Sequence, residues 1–369
     1  MPKVSVIVPC YNVAPYVAKC LDSLVGQTLQ DIEIICVDDK STDDTAKIVA
    51  EYAERDKRIK LIKQRKNQGV SVARNTAIDA AQGEFIGFVV PDDYIDLDFY
   101  EKLYNTAINT SADIAKAIII SVDVNGKQRT GTINSRIAIN KNYFNYEFSS
   151  AIYKRTLINK HNIRFIPGVA LGEDVNFQQK AAYLANKVSL IDNTAYWYIR
   201  RDDSACVPHI GHNKVISVCN ASNDLHQWIN SRKNVAKSDY IAVMRSVCAL
   251  LTNNAGRADS DADKKFIAEC IIKTLDGAKY KSEILYKYFK KHLHKPINNQ
   301  NVTELFYALS LREIKYKLFG FIKIATALYA PKLGGKILLF GKIPVCKIVH
   351  TGSTDKIYIC GISVLKITQ

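Results

Sequence analysis

The chain has 369 residues, 47% hydrophobic and 24% charged, with nine prolines and no low-complexity stretch; this excludes wholesale disorder and leaves room for two domains. Its net charge of +15 is unevenly placed: residues 1–204 hold 26 Lys and Arg against 25 Asp and Glu, whereas residues 205–369 hold 25 against 11. The nine cysteines are scattered without a C-x-x-C pair, which argues against a disulfide framework or a zinc site and for a reducing compartment.

Met1-Pro2-Lys3-Val4 leads directly into a strand, so no signal peptide is expected. No window reaches the ~18 uncharged apolar residues of a spanning helix. The expected location is cytoplasmic, with a peripheral position at the inner face of the plasma membrane as a further option.

The first hundred residues alternate strand and helix. Val4–Val8 is an apolar run of strand length, stopped by Pro9. Val17, Leu21, Leu24 and Val25 have helical spacing within 13–27. Glu33–Val37 reads as a second strand, and Ser41-Thr-Asp-Asp44 then opens a helix with Ser41 as its cap. A third strand is expected at Ile59–Ile62, a helix at Ala73–Ala81 and a nearly all-apolar fourth strand at Glu84–Val90.

This pattern predicts an α/β fold, a mostly parallel sheet with helices on both faces. Such sheets bind ligands at the carboxyl ends of their strands. Further on, a helix at 100–107, a strand at 114–122, a hairpin turn at Asn125-Gly126, a helix near 172–185 and a strand at Val188–Ile191 are expected. An aromatic run, Tyr196-Trp-Tyr198, follows. Residues 211–310 show mostly helical spacing.

Four clusters carry candidate chemistry, each with a plainer structural reading beside it. Tyr11, after strand 1, could stack on a nucleobase or pack on the sheet edge. Asp38 and Asp39, after strand 2, could accept from a ribose hydroxyl or a base N–H, or cap a helix. Asp92 and Asp93, at the end of an apolar strand, suit a hard divalent cation, Mg²⁺ or Mn²⁺, or form an Asx turn. Glu173 and Asp174 open a helix, where a carboxylate could act as a general base or compensate the helix dipole.

In order and spacing these clusters resemble glycosyltransferase family 2 enzymes of GT-A fold. Val4-Ser-Val-Ile-Val-Pro-Cys-Tyr-Asn12 is similar to the family's opening strand, and Val37-Asp-Asp-Lys-Ser-Thr-Asp43 to its VDDGSTD segment. Asn67-Gln-Gly-Val-Ser-Val-Ala-Arg-Asn75 resembles its N-x-G-x-x-x-A-R-N helix start, and Gly83–Phe88 with Asp92-Asp93 the approach to its metal motif. Gly172-Glu-Asp174 resembles its acceptor-side acid.

The resemblance implies an inverting transfer from a nucleotide-sugar, a UDP-sugar by analogy, to a glycan or lipid-linked hydroxyl in surface polysaccharide or lipooligosaccharide synthesis. It implies that Tyr11 and Asp39 hold the base in a pocket shaped by Pro9, and that Asp38 and Arg74 support the nucleotide end. It also implies a cation on Asp92 with Asp93 beside it, Asp174 as general base next to Glu173, and Arg201 near the diphosphate. Two positions depart from the pattern: Val90 replaces the first acid of Asp-x-Asp-Asp, and Lys40 replaces a glycine. The first makes a catalytically impaired sugar-nucleotide binder or scaffold an alternative.

The expected division is a GT-A domain over 1–205 (a nucleotide-binding half, 1–100, and an acceptor half, 101–205), a helical region over 206–310, and a basic amphipathic segment with a terminal hairpin over 311–369. Lysines interspersed among apolar and aromatic residues in 311–348 suggest an interfacial helix on an anionic membrane. The near-repeat Ile343–Ile348 and Ile362–Ile367, with turn residues at 351–355, predicts a two-stranded hairpin whose edge could pair with a second copy as a homo-oligomer. The basic half also keeps a nucleic-acid binder as an alternative, although no recognised module appears and no nucleic-acid partner is expected.

Overall fold

The computed structural model describes residues 1–130, 148–201, 209–289 and 291–309, and the backbone of six strands between 312 and 368. Two compact units result, Met1–Leu250 and Leu251–Gln369.

The first unit is built as the alternation predicts. Strands β1 (Val4–Cys10), β2 (Ile32–Asp38), β3 (Ile59–Lys63) and β4 (Phe85–Phe88) alternate with helices α1 (Ala14–Val25), α2 (Thr45–Arg55) and α3 (Val70–Ala80). The rest of the unit comprises β5 (Tyr94–Ile95), α4 (Phe99–Thr110), β6 (Ile114–Val122), β7 (Gln128–Thr130), a 3₁₀ turn at Phe148–Ser150, β8 (Ala151–Lys154), α5 (Arg155–Lys160), α6 (Glu173–Leu184), β9 (Val188–Ile199), α7 (His212–Asn230) and α8 (Lys237–Ala255), the last running past Leu250.

The sheet order is β3-β2-β1-β4-β8-β6-β9-β5, with β7 beside β6. β1, β2, β3 and β4 are parallel, with Cys10 level with Asp38 and Ile7 with Phe88. From β8 onward antiparallel pairings enter, so the sheet is mixed, more so than the alternation alone suggests. The expected strand at 188–191 and the aromatic run beyond it form one twelve-residue strand, β9.

Successive residues of β1 bury on opposite faces. Val4, Val6, Val8 and Cys10 pack with α1 and α4, while Ile7 packs with Ala73, Ala77 and Ile78 of α3 and Phe177 of α6. Both faces are therefore covered, and only the strand ends are left to carry a site. Gly87 permits the close packing of α4: a Cβ there would lie 2.6 Å from the Tyr100 ring. Helix α7 packs on α6 through Asn176, whose Nδ2 donates to Ala221 O (3.0 Å) and Asp224 Oδ1 (2.9 Å).

One local expectation changes. Helix α2 starts at Thr45, and the Ser41 hydroxyl accepts from Asn12 N–H (3.1 Å) instead of capping it. Asp43 bridges two helices: Oδ1 accepts from Thr45 N–H and Oδ2 from Ala14 N–H at the start of α1, each at 3.0 Å. The 39–44 loop is thus the shared cap of α1 and α2.

The second unit contains α9 (Asp261–Asp276), α10 (Lys281–Tyr288), α11 (Lys291–Asn298) and α12 (Val302–Leu309), as the helical spacing predicts. The basic segment that follows is not a helix. It forms β10 (Arg312–Leu318), β11 (Ile322–Tyr329), β12 (Lys336–Phe340), β13 (Ile343–Thr351), β14 (Thr354–Ile359) and β15 (Ile362–Thr368), an antiparallel meander in chain order. The period-two alternation of Ile314, Tyr316 and Leu318 with Lys315 and Lys317, rich in β-formers, decides for strand. The near-repeat segments of β13 and β15 do not pair with each other as the expected hairpin. Each pairs with β14 instead, whose apolar Ile357–Ile359 lies between them in the chain.

Among the described residues no helix is long and apolar enough to cross a membrane. Cys10, Cys20, Cys36, Cys219, Cys248 and Cys270 are free thiols, the first five buried, as the spacing argument anticipates.

Candidate active site

The parallel order β2-β1-β4 sets the loops after these strands side by side at one end of the sheet. The first loop begins with Pro9, buried and level with Val37, and then presents Tyr11, which is 47% exposed. The next residue, Asn12, takes a left-handed φ of 51° and turns the chain into α1.

The loop after β2 holds two buried carboxylates with different work. Asp38 Oδ1 accepts from Ser41 N–H (3.2 Å) and closes the turn. Asp39 accepts from Gln68 N–H (2.8 Å) and Gly69 N–H (2.7 Å), one bond to each oxygen. It thereby fixes the start of α3 beside the end of β2. Lys40 adopts φ 65°, the left-handed conformation for which the family pattern has glycine.

After β4, Val90 takes the place of an acid. Its N–H donates to the Tyr196 hydroxyl (3.0 Å), which itself donates to Asp93 Oδ2 (2.7 Å). Asp93 Oδ1 accepts from Ile199 N–H (2.8 Å). Asp93 is 2% exposed, and burial, then the Asp92 charge, push its carboxyl up to about 8 against the opposing pull of these donors. Asp93 therefore ties the loop to the end of β9, and Asp92 is the half-buried acid that the loop offers. Asp92 Oδ2 receives Arg201 Nη2 at 2.8 Å, and the Arg201 guanidinium lies 4.2 Å over the Tyr16 ring.

On the other side, Arg74, one turn into α3, donates to Glu173 Oε1 at 2.7 Å with both side chains buried. Its guanidinium lies over the rings of Phe148 (4.7 Å) and Phe165 (4.9 Å). Next to Glu173, Asp174 retains some solvent contact in dense surroundings. Burial first, then the Glu173 charge, raise its carboxyl to about 7, with Val175 N–H and Arg74 opposing. The position of α6 is set by Gly172, at φ 90°, where a Cβ would lie 2.8 Å from Leu250 Cδ2.

The structure thus links the candidates into two arms. One runs Asp39, the α3 start, Arg74, Glu173 and Asp174; the other runs Asp93, Tyr196, Ile199, Arg201 and Asp92. Tyr16 and Tyr196 carry no motif signal, and only the pairing of β9 with its neighbours brings Tyr196 beneath the 90–93 loop.

A divalent cation can be tested against this donor set. Among the described residues no group of three His, Cys, Asp or Glu could hold one. Asp92 is an oxygen donor at a strand end, and Mg²⁺-like ions are commonly held by one or two carboxylates together with substrate phosphates. The residues therefore fit a cation that arrives with, or is completed by, a diphosphate.

This sheet, with acids and an aromatic side chain at its carboxyl edge, has a GT-A-like architecture. Among solved structures, the chain is similar to Staphylococcus aureus TarS residues 1–349 in complex with UDP-GlcNAc, with TM-score 0.64, 20% identity, and 92% of this chain and 99% of that chain covered. A mannosyltransferase from Pyrobaculum calidifontis, in complex with GDP-Man and Mn²⁺, aligns with TM-score 0.50 and 17% identity over 83% and 84% of the two chains.

Residues 5–168 match the model described as Glycosyl transferase family 2. A curated relative, the uncharacterized glycosyltransferase EpsJ of Bacillus subtilis, is 34% identical over 220 residues, 55% of this chain and 63% of EpsJ. The poly(ribitol-phosphate) beta-glucosyltransferase of Bacillus spizizenii is 32% identical over 207 residues, 54% of this chain and 33% of that protein. The chain therefore spans less than two thirds of the length of these relatives.

Proposed function

We propose that the chain is an inverting glycosyltransferase that moves a sugar from a nucleoside-diphosphate donor, a UDP-sugar by preference, to a hydroxyl of a glycan or lipid-linked acceptor. The observation that carries this reading is the pair of ionic contacts, Arg201 with Asp92 in the loop after β4 and Arg74 with Glu173 beside Asp174, in a chain whose residues 5–168 match the family 2 model. The UDP-GlcNAc complex of a structural neighbour supports the donor class, and the poly(ribitol-phosphate) named for the Bacillus spizizenii relative supports a polymer hydroxyl as acceptor.

In this reading the exposed ring of Tyr11 stacks on the base above Pro9, and Asp38 and Asp39 give the nucleotide end a rigid acceptor edge. Arg74 supports that end through its grip on Glu173. Asp92 would hold a Mg²⁺ or Mn²⁺ ion, which when bound would supply positive charge to a departing diphosphate. Arg201 neutralises the same oxygens from the β9 side. Asp174 takes the proton of the acceptor hydroxyl, whose oxygen bonds to the anomeric carbon from the face opposite the diphosphate. The bond from that carbon to the diphosphate oxygen breaks, and its electron pair leaves on the nucleoside diphosphate. A carboxyl lifted to about 7 is well matched to this role near neutral pH.

The test is a screen of UDP-, GDP-, CMP- and dTDP-sugars with Mn²⁺, read by thermal shift and by nucleotide release. One donor class should stabilise the protein and be turned over, with turnover lost in D174N and D92N. If no donor binds, the reading fails. Val90 and the enclosed Asp93 favour a second reading, a binder without turnover, which binding unaccompanied by release would establish.

A further inference from the structure

We propose that Arg201 is a cation switch: its guanidinium competes with a divalent cation for Asp92, and a diphosphate draws it away, so that the cation gains Asp92 only together with the nucleotide. The proposal rests on the nucleotide-sugar reading above and adds to it an order of assembly.

Several features make the ion pair a built one. The two side chains are 21% and 14% exposed, so their attraction is less screened than that of a surface pair. The Tyr16 ring, in the first turn of α1, supports the guanidinium from below at 4.2 Å. The strand end two residues before Arg201 is pinned to the Asp92 loop by the 2.8 Å bond from Ile199 N–H to Asp93. The Tyr196 hydroxyl holds the same loop at both Val90 and Asp93. Arg201 and Asp92 therefore meet across a clamp that is independent of their own charges.

The chemistry then forces a competition. Asp92 is the one acid of the loop that is not enclosed, and its Oδ2 is already engaged by the guanidinium. A dication placed on this carboxylate would sit within a few ångströms of a fixed positive charge, which opposes its binding. A nucleoside diphosphate relieves that opposition. Its oxygens match the planar donor fork of arginine and also complete the shell of the cation. By linkage, whatever the nucleotide gains in affinity from the cation, the cation gains from the nucleotide.

The experiment measures Mn²⁺ binding to the full chain by electron paramagnetic resonance of free Mn²⁺, with and without UDP, for wild type, R201M, R201K and D92N. Thermal unfolding of each variant checks that it is folded. Wild type should bind Mn²⁺ weakly alone and much more tightly with UDP. R201M should bind Mn²⁺ without UDP about tenfold more tightly than wild type and gain less from UDP, within the roughly 5–150-fold range of linked sites. R201K, which keeps the charge without the fork, should fall between them, and D92N should lose the binding in both conditions. A structural lesion would weaken Mn²⁺ binding, not strengthen it. If R201M and R201K, both folded, bind Mn²⁺ alone no better than wild type while wild type still binds UDP, the switch is wrong and the nucleotide-sugar reading stands. If wild type binds neither UDP nor Mn²⁺, both are overturned.

Discussion

The Arg74 guanidinium donates to Glu173 Oε1 at 2.7 Å with both side chains almost wholly buried, and this bond joins α3 to α6, the helix that carries Asp174. The same pair sets the charge around Asp174 from both directions, since Glu173 raises its carboxyl and Arg74 lowers it.

The first prediction concerns pH. The base form of Asp174 exists above its raised value, so turnover should climb as pH rises through about 7 and level off above it. E173Q removes the neighbouring negative charge, so the climb should move to lower pH. R74M removes the opposing positive charge, so the climb should move to higher pH. R74M should also lose about 3–5 kcal/mol of stability, because it leaves a buried carboxylate without its partner. A pH–rate series on the three proteins checks this, and a climb that stays in place in both variants would sink the role of Asp174.

A second prediction concerns Tyr196. Its hydroxyl serves both Val90 N–H and Asp93 Oδ2, so Y196F leaves two polar groups of the 90–93 loop without that partner. The expected loss is about 1–3 kcal/mol for an orphaned buried group, read by urea unfolding. A variant as stable as wild type would show that the loop is not held from below.

At Gly172 the backbone lies at φ 90°, and a Cβ would meet Leu250 Cδ2 at 2.8 Å and Ala221 Cβ at 3.3 Å. G172A should therefore destabilise the fold by about 1–3 kcal/mol through strain and overpacking. Because α6 starts there, turnover should fall more than donor affinity. Donor binding and turnover measured on the same preparation separate the two effects.

Lys40 pays for a left-handed φ of 65° where glycine would be relaxed. K40G should raise stability by up to about 1 kcal/mol, the strain relieved less the added freedom of glycine in the unfolded chain. A lower melting temperature would mean that the Lys40 side chain contributes contacts that outweigh the strain.

Much of the sheet is legible in the order of residues. The apolar runs of β1, β2 and β4 and the helical spacing of α1 and α3 are local signals, and burial on both faces reinforces them. For the same reason the expected sheet edge, with Tyr11, Asp38, Asp39 and Asp92, follows from strand order alone. The Lys-rich tail shows the limit of local pattern: its mixture of lysines and apolar residues suggests an interfacial helix, whereas the chain forms strands β10–β12 there.

The sequence by itself determined which acids lie at strand ends, because a carboxylate after an apolar strand is visible without any partner. Only the tertiary structure decided what each acid does. Asp93 and Asp92 are neighbours in sequence, yet one is enclosed by Tyr196 and Ile199, from a strand about a hundred residues away, and the other meets Arg201. Charge, proton affinity and access to a cation depend on distance and solvent exclusion, and those are set when β9 and α6 pack against the sheet, not by the order of residues along the chain.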